Sequence, residues 1–400
     1  MYLTHLSLTN FRSFARLDLD VPRRVVLLVG SNAQGKTSVL EAIYFLAAFT
    51  SFQTHVDRQL VNLVAAKEAL AVGRLVAEYT RGPVSHRLEA RLILEPTGAN
   101  SQRLRKEILL DGVKRPLADV IGHFNAVLFV PQMIQILDGG PEERRRYLNL
   151  ALAQTAPGYA RLISEYSQAL TQRNALLKQL GERGGDTSQL DYWDETIALA
   201  GARIILHRIR AVQEIETLAA RIHHHLTRGK EVLRLNYLPS YDPVAQSNGQ
   251  IAMALNTSVD RSGLGEDEVY QGFLQRLKSS RPEEISRGVT GIGPHRDDLR
   301  FLANAIDLGD YGSRGQARTT LLALKLAEIE WIKKQTGQWP VLLLDEVLAE
   351  LDTDRRDDLL AYLEKIEQAL LTTTDLNLFT AQFVAQARVW QVEAGSITDN

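Results

Sequence analysis

The chain of 400 residues contains no cysteine. This absence excludes disulfide scaffolds, zinc ribbons, iron–sulfur clusters and thiol catalysis, and it is compatible with a reducing compartment. Long apolar runs are missing too, since the stretch at residues 42–49 is far shorter than the roughly 18 residues that a membrane-spanning helix needs. The first twenty residues contain no apolar run of signal-peptide length. We therefore expect a soluble, cytoplasmic protein.

A large excess of charge of either sign is also missing. The chain has 46 Lys and Arg residues against 48 Asp and Glu residues, which gives a net charge of −2. Without a global positive field, any nucleic-acid site has to be a local patch. The apolar fraction of 45% and the charged fraction of 24% are ordinary for globular proteins and exclude disordered, collagen-like and mucin-like chains. The length predicts two to three domains.

Hydrophobic periodicity predicts an α/β fold with a helical segment in the middle. The strands predicted from alternating or unbroken apolar residues lie at 17–21, 25–29, 88–94, 124–130, 341–344, 369–372 and 389–392, the last of these closing the chain. The predicted helical segments lie at 36–48, 142–228, 316–334 and 354–366. A glycine-rich break places the tip of a helical hairpin at about 180–190, and polar residues 239–266 predict a linker.

The strongest motif lies between a predicted buried strand and a predicted helix. It matches G-x-x-x-x-G-K-[ST] and consists of Gly30, Ser31, Asn32, Ala33, Gln34, Gly35, Lys36 and Thr37. In such a loop, backbone N–H groups and the helix N-terminus bind phosphates, the lysine neutralises them, and the hydroxyl is placed to ligate Mg²⁺. A chance glycine-rich turn is the alternative, which the flanking strand and helix disfavour. The sequence therefore predicts a nucleotide-binding site.

A second element follows much later, where the apolar residues 341–344 precede Asp345 and Glu346. We predict that Asp345 holds Mg²⁺ and that Glu346 polarises the attacking water as a general base. The separation between Lys36 and Asp345 far exceeds the length of one nucleotide-binding domain. We therefore expect an ATPase head formed by residues 1–140 and 290–400, with a helical arm lobe inserted at 141–289.

Further segments resemble ABC-type ATPases. Ser313, Gly315 and Gln316 open the helix before the acidic strand and resemble the signature motif, which acts on ATP bound by a second subunit. Asp352 resembles the residue of the D-loop. Over nearly the whole chain the sequence resembles the RecF family, and the segments that carry this resemblance are 8–12, 30–37, 129–131, 140–148, 172–174 and 293–299.

The resemblance implies an ABC-type ATPase head, with a mixed sheet and flanking helices, that dimerises around ATP and Mg²⁺. Arg12 and Gln132 would complete the nucleotide site. The switch histidine of ABC ATPases is replaced by threonines at residues 372–374, which suggests a slow, DNA-stimulated ATPase that works as a switch. The family further implies binding of gapped or single-strand/duplex junction DNA in recombinational repair, replication restart and the SOS response, with RecO and RecR promoting the loading of RecA.

Two other classes of protein remain open. A Rad50- or SMC-like chromosome ATPase is disfavoured by the short arm and by the absence of a zinc-hook or hinge sequence. A transporter ATPase subunit is disfavoured because such subunits place the two phosphate motifs much closer together. The arm segment 144–178 holds six basic residues against one acid, so we take Arg144, Arg145 and Arg146 as candidates for DNA binding. The alternative is that they form ion pairs inside the protein.

Overall fold

The structure is a computed structural model that describes residues 1–68, 70–98, 101–244, 259–261 and 263–399. The chain forms two compact units: unit 1 comprises Met1–Met133 and Glu328–Asn400, and unit 2 comprises Ile134–Ala327. Residues 134–140 and 290–327 thus belong to the compact unit that contains the helical segment, although the sequence analysis placed them in the head. The division into head and arm lobes as functional domains stays a prediction. The predicted linker falls largely on residues 245–258 and 262, outside the described residues.

Each of the seven predicted strands and the four predicted helical segments has a counterpart in the structure, which also contains strands and helices that were not predicted. The strands are β1 (Tyr2–Phe11), β2 (Phe14–Asp20), β3 (Val25–Val29), β4 (Ala71–Arg81), β5 (Val84–Gly98), β6 (Ser101–Leu110), β7 (Val113–Arg115), β8 (Ala126–Phe129), β9 (Leu233–Leu238), β10 (Asp298–Ala303), β11 (Ile306–Asp307), β12 (Val341–Asp345), β13 (Ala369–Thr373), β14 (Arg388–Glu393) and β15 (Ser396–Asp399). The helices are α1 (Lys36–Ala48), α2 (Leu117–Val120), α3 (Gln135–Asp138), α4 (Pro141–Thr155), α5 (Tyr159–Arg183), α6 (Leu190–Leu226), α7 (Glu266–Arg287), α8 (Leu308–Tyr311), α9 (Arg314–Thr336), α10 (Thr353–Leu363) and α11 (Ala381–Gln386). The prediction that β14 closes the chain was wrong, because β15 follows it and pairs with it antiparallel.

Unit 1 contains two six-stranded sheets with α1 in contact with strands of both. One sheet is antiparallel, in the order β2-β1-β4-β5-β6-β7. The other has the order β15-β14-β3-β13-β12-β8, and all its strands except β15 run parallel. Beyond its first turn, helix α1 is apolar on every side except at Glu41, with Val39, Leu40 and Ile43 fully buried, as expected for a helix between two layers. Because the strands are parallel, the carboxyl ends of β3, β13 and β12 meet at one edge, where open α/β sheets bind ligands.

Unit 2 contains an α-helical hairpin, a third long helix and a small sheet, together with α3, α4, α8 and the first part of α9. Helices α5 and α6 have 25 and 37 residues, which corresponds to about 40 and 55 Å at 1.5 Å per residue. Helix α7, which the sequence analysis did not predict, packs against both. A Cβ at Gly201 of α6 would lie 2.5 Å from the ring of Phe273 on α7, so only glycine permits this close approach. None of the described helices is long and apolar enough to cross a membrane.

Buried ion pairs hold the interior of unit 2 together. The fully buried Arg173 lies 2.7 Å from the Asp194 carboxylate and 2.8 Å from that of Glu284. The buried Arg208 donates to Asp297 at 2.8 Å and to the carbonyl of Pro294 at 2.6 Å. Because burying a charge is very costly unless it is paired and hydrogen-bonded, the loss of one partner would destabilise this unit strongly. The segment 293–298 is therefore held against the helices by hydrogen bonds and ion pairs of its own side chains and backbone carbonyls.

His295 within this segment is neutral in the folded protein. The Tyr166 hydroxyl lies 2.7 Å from its Nδ1 and the Thr290 carbonyl lies 3.1 Å from its Nε2. A carbonyl only accepts, so Nε2 carries the proton and Nδ1 accepts from tyrosine. Burial lowers the pKa of His295 to about 4 from its ordinary value of 6.5. As the pH falls, His295 is therefore protonated in the unfolded chain before it is protonated in the folded protein.

We predict that the free energy of unfolding decreases as the pH is lowered from 6.5 to 4, by up to about 3 kcal/mol from this residue. The stabilisation is complete above the unfolded pKa, because neither state is then protonated. His295→Gln should flatten the pH dependence measured by urea denaturation, whereas His55→Gln, at an exposed position, should not change it. A wild-type slope in His295→Gln would contradict this assignment.

Candidate nucleotide-binding site

The loop between β3 and α1 has the backbone geometry of a phosphate cradle. A Cβ at Gly30 would lie 2.3 Å from the carbonyl oxygen of Val392, so the loop packs against β14 in a way that only glycine allows. Gly35 caps α1 with a φ of +110°, a conformation that L side chains rarely adopt. Ala33 also has a positive φ, of 64°. The chain therefore turns sharply and starts α1 at Lys36, with the free N–H groups of the first helical turn next to the loop.

Lys36 is folded into its own loop and is 4% exposed. Its Nζ donates to the carbonyl oxygens of Gly30 at 2.7 Å and Ser31 at 3.1 Å. The same Nζ lies 3.3 Å from Oε1 of Glu346. This buried ammonium is thus held by groups that a phosphate oxygen could replace.

Asp345, at the end of β12, connects this strand to the start of α1 and to the neighbouring strand β13. Its Oδ1 accepts from the hydroxyl of Thr37 at 2.9 Å and from that of Thr372 at 2.7 Å. The side chain is 8% exposed, so these hydrogen bonds form in a largely water-free environment where an unpaired carboxylate would be unfavourable. The two motifs that the sequence places far apart therefore meet, with the Thr37 hydroxyl and the Asp345 carboxylate in direct contact.

Glu346 adopts a left-handed backbone conformation with a φ of 55°. For a non-glycine residue this conformation is uncommon and costs about 1–3 kcal/mol, so the surroundings must hold it. The hydroxyl oxygen of Thr372 accepts from the backbone N–H of Glu346 at 3.0 Å and supplies such a restraint. Thr372 thus fixes both acids of the pair, one through its proton and the other through its oxygen.

Arg12 lies at the rim of a cavity beside α1. Its Nε and Nη2 donate to the fully buried carboxylate of Glu41 at 2.7 and 2.6 Å. The cavity has a volume of about 590 Å³, and its lining includes Ser13, Ser38 and Gln53. Ser38 immediately follows the phosphate loop in the sequence, and the cavity has a volume within the size range of small-molecule pockets.

Gln132 and Asp352 lie outside these contacts. Gln132 is exposed and follows β8, whose carboxyl end reaches the same sheet edge as β12. Asp352 accepts from the backbone N–H of Arg355 at 3.0 Å and thereby caps α10. The roles assigned to both residues in nucleotide binding stay predictions.

The signature residues lie in unit 2, at the N-terminus of α9. The Ser313 hydroxyl accepts from the backbone N–H of Gln316 at 3.2 Å, and the Gln316 side chain accepts from the backbone N–H of Ser313 at 3.0 Å. This reciprocal arrangement is a capping box. Gly315 lies between them and is exposed, and a Cβ at this position would lie 4.0 Å from the Ser313 hydroxyl oxygen. The side-chain amide of Gln316 donates to Glu231 at 2.9 Å, so a residue outside the motif holds it in place.

The arginine triplet on α4 is only partly accessible. Arg144 is buried and bound by Asp298 at 2.6 Å, and it also donates to the carbonyl of Gly139. Arg145 is half-buried and donates to the carbonyl of Asp297 at 2.8 Å. Arg146 is half-buried. These contacts favour the alternative in which the triplet forms ion pairs inside the unit, at least for Arg144, because its guanidinium is away from solvent.

Three residues were not identified by sequence reasoning. Thr372 was noted only as part of a threonine run, and neither Glu41 nor Glu231 belongs to a motif. The one available signal was for Glu41, an acid on a helix that is otherwise apolar on every side. Each residue acts by holding another functional group, and such pairing depends on the tertiary contacts.

The fold and the loop geometry define an ABC-type ATPase head. The family model described as "RecF/RecN/SMC N terminal domain" matches residues 2–398. Because this match spans almost the entire sequence, the chain belongs to that family.

Relatives that match over nearly the full length of the chain show to which branch of the family it belongs. The chain is 39% identical over 408 residues to the DNA replication and repair protein RecF of Chloroflexus aurantiacus, with 99% of each chain covered. It is 35% identical over 399 residues to the RecF protein of Lacticaseibacillus paracasei, also with 99% of each covered. These matches assign it to the RecF branch of the family.

Solved structures agree with this assignment. A structure of the recombination mediator protein RecF with ATP, from the RecFOR pathway, has a TM-score of 0.83 and 28% identity, covering 100% of this chain and 97% of that chain. An Smc head bound to the C-winged helix domain of ScpA has a TM-score of 0.51 at 15% identity, covering 100% and 98%. The second likeness concerns the fold alone.

We predict that Thr372→Val lowers the free energy of unfolding by about 1–3 kcal/mol, because it leaves the N–H of Glu346 without its acceptor. Thr372→Ser keeps the hydroxyl and should recover most of this loss. Thr374→Val, at an exposed position of the same run, should change stability by less than about 0.5 kcal/mol. Urea denaturation of the three variants measures the difference. Equal effects of Val and Ser at position 372 would contradict the role of the hydroxyl.

Proposed function

We propose that the protein is an ATP-dependent DNA-binding protein of recombinational repair and replication restart, and that ATP drives its dimerisation. The observation that carries this proposal is the direct contact between Thr37 and Asp345, because it joins the phosphate loop and the acidic strand into one site. The similarity to RecF proteins over the full length supports the biological role. The Rad50- or SMC-like alternative has only the fold in its favour.

We expect the site to hold both the phosphates and the nucleoside of ATP. Residues 30–37 would hold the phosphates, with Lys36 exchanging its carbonyl and Glu346 contacts for phosphate oxygens. The cavity beside Arg12 offers space for the nucleoside. Gln132, at the same sheet edge, would approach the γ-phosphate side.

Mg²⁺ also fits the donor set, because Thr37 and Asp345 present adjacent hard oxygen ligands, which this cation prefers. When bound, Mg²⁺ would supply charge neutralisation between the β- and γ-phosphates. Within the chain, Asp345 would keep Thr37 oriented, and Glu346 would polarise water. Because threonines replace the usual histidine after β13, we propose slow hydrolysis that serves as a switch.

The second half of each site would come from a partner chain. Ser313 and Gly315 lie at an exposed helix N-terminus, which suits an anion such as the γ-phosphate bound by a second copy. Asp352 would lie close to that interface as the D-loop residue. The closed dimer would then grip gapped or single-strand/duplex junction DNA in the cytoplasm, at the nucleoid. RecO and RecR would be its partners, and RecA loading would be the outcome.

The test is the oligomeric state of Glu346→Gln. We expect this variant to bind ATP and Mg²⁺ but to hydrolyse ATP about 10²–10⁴-fold more slowly, the usual effect of losing a general base. It should therefore accumulate as an ATP-bound dimer in analytical ultracentrifugation.

Ser313→Arg in the same background is the matched control. It should leave ATP affinity unchanged and abolish the dimer, since Ser313 would act on the partner's nucleotide. A Glu346→Gln protein that stays monomeric at saturating ATP would contradict the proposed dimer. Loss of ATP affinity in the Ser313→Arg variant would contradict action between chains.

A further prediction concerns Glu231, which holds the Gln316 amide in the capping box. Glu231→Ala should weaken ATP-dependent dimerisation at least about fivefold without changing ATP affinity, because the box loses a charge-assisted hydrogen bond. Glu231→Gln keeps an acceptor oxygen and should restore most of the dimer. Sedimentation at several ATP concentrations separates the two effects. A dimer of wild-type strength in Glu231→Ala would show that the signature does not depend on this contact.

A further inference from the structure

We propose that a basic groove on unit 2 binds the phosphate backbone of DNA, and this inference rests on the DNA-binding function proposed above. The groove has a volume of about 380 Å³ and lies between α7 and the segment that precedes β10. Arg276, Ser280 and Arg287 line it from α7, and Arg296 lines it from the segment. No sequence motif pointed to the α7 residues, because this helix was not predicted.

The helical contribution comes from one face of α7. Residues 276, 280, 283 and 287 follow each other at intervals of four, three and four, which places their side chains along one stripe. Val269, Phe273 and Leu277 of the same helix are fully buried in the unit. The stripe that lines the groove is therefore carried by a helix whose apolar side is anchored in the core.

Arg296 differs from its neighbours in the same segment. His295, Asp297 and Asp298 all make hydrogen bonds with other parts of unit 2. Arg296 is exposed, and neither its guanidinium nor that of Arg276 forms a hydrogen bond or ion pair among the described residues. A rigid, internally bonded segment thus presents one available guanidinium to the groove, and the helix presents another.

The two acidic residues that line the groove, Glu283 and Glu284, already form ion pairs with arginines. Glu284 is buried, lies 2.8 Å from Arg173 and accepts from the N–H of Gly291 at 2.7 Å. Glu283 lies 2.8 Å from Arg287. The charges of Arg276 and Arg296 therefore remain in excess. A guanidinium group can donate two parallel hydrogen bonds to two oxygens of one phosphate. The pair of Arg276 and Arg296 therefore matches a phosphate group better than it matches a single carboxylate.

The lining favours DNA over an acidic protein partner. Protein interfaces centre on buried apolar or aromatic anchors that fit a matching surface. The apolar lining residues Val289 and Ile292 are half-buried, and none of the groove residues is among the large exposed hydrophobic residues of the described chain. Contacts to the DNA backbone require only cations and hydrogen-bond donors. Arg276, Arg296 and Ser280 supply these.

The test compares the double variant Arg276→Gln/Arg296→Gln with the wild type in binding gapped duplex DNA at saturating ATP and Mg²⁺. Each lost phosphate contact should reduce the slope of log K against log salt by about 0.9, so we expect a slope smaller by about 2 for each groove of the dimer that contacts the DNA, and an affinity about tenfold or more lower at 0.1 M salt. ATP affinity, measured on the same samples, should be unchanged, because the phosphate loop and the acidic pair lie in unit 1 and both substitutions lie in unit 2.

The matched control is Arg183→Gln/Arg210→Gln, which removes the same charge from exposed positions of unit 2 outside the groove. It should retain the wild-type slope to within about 0.5. Identical slopes for the groove variant and the wild type would overturn the proposal. So would an equal loss in the control, or normal DNA binding combined with lost RecR or RecO binding. A wild-type protein that binds no gapped DNA with ATP would instead refute the proposed function itself.

Discussion

One carboxylate oxygen, Oδ1 of Asp345, is the point on which the nucleotide site depends. It accepts hydrogen bonds from Thr37 at the start of α1 and from Thr372 on β13, and Thr372 in turn accepts from the N–H of Glu346. These contacts connect the ends of three neighbouring structural segments at the carboxyl edge of the parallel sheet. Because the carboxylate is nearly buried, water competes poorly with these contacts, so they fix the geometry of the site before any ligand binds.

Unit 2 follows a different physical principle. Its geometry depends on buried guanidinium groups, each with a carboxylate partner, and not on an apolar core alone. Arg208 and Arg173 are both fully enclosed, and their acids lie on other segments of the unit. Asn149 also belongs to this network, as an acceptor for Arg208 at 3.1 Å. This network holds the segment 293–298 rigidly, and the proposed DNA groove depends on that rigidity.

The elements near the phosphate loop could be predicted almost to the residue. Strand β3 and helix α1 begin and end where apolar periodicity placed them. Local signals were sufficient there, since an unbroken apolar run and a glycine turn leave few alternatives. Helix α7 was missed because its apolar positions are sparse and Pro282 interrupts its sequence. Its stability comes from packing against α5 and α6, which no local pattern reports.

The sequence by itself determined the class of protein, the phosphate loop and the acidic pair, because these depend on residue types at fixed short spacings. Only the tertiary structure decided which charges remain available. Arg144 is one of three consecutive arginines and could not be distinguished from a surface cation, yet it is buried against Asp298. Arg296, between a histidine and two acids, could have been paired and is exposed instead. The reason is physical: the carboxylate that neutralises Arg144 lies 154 residues away in the sequence, and its position is fixed only when the chain packs.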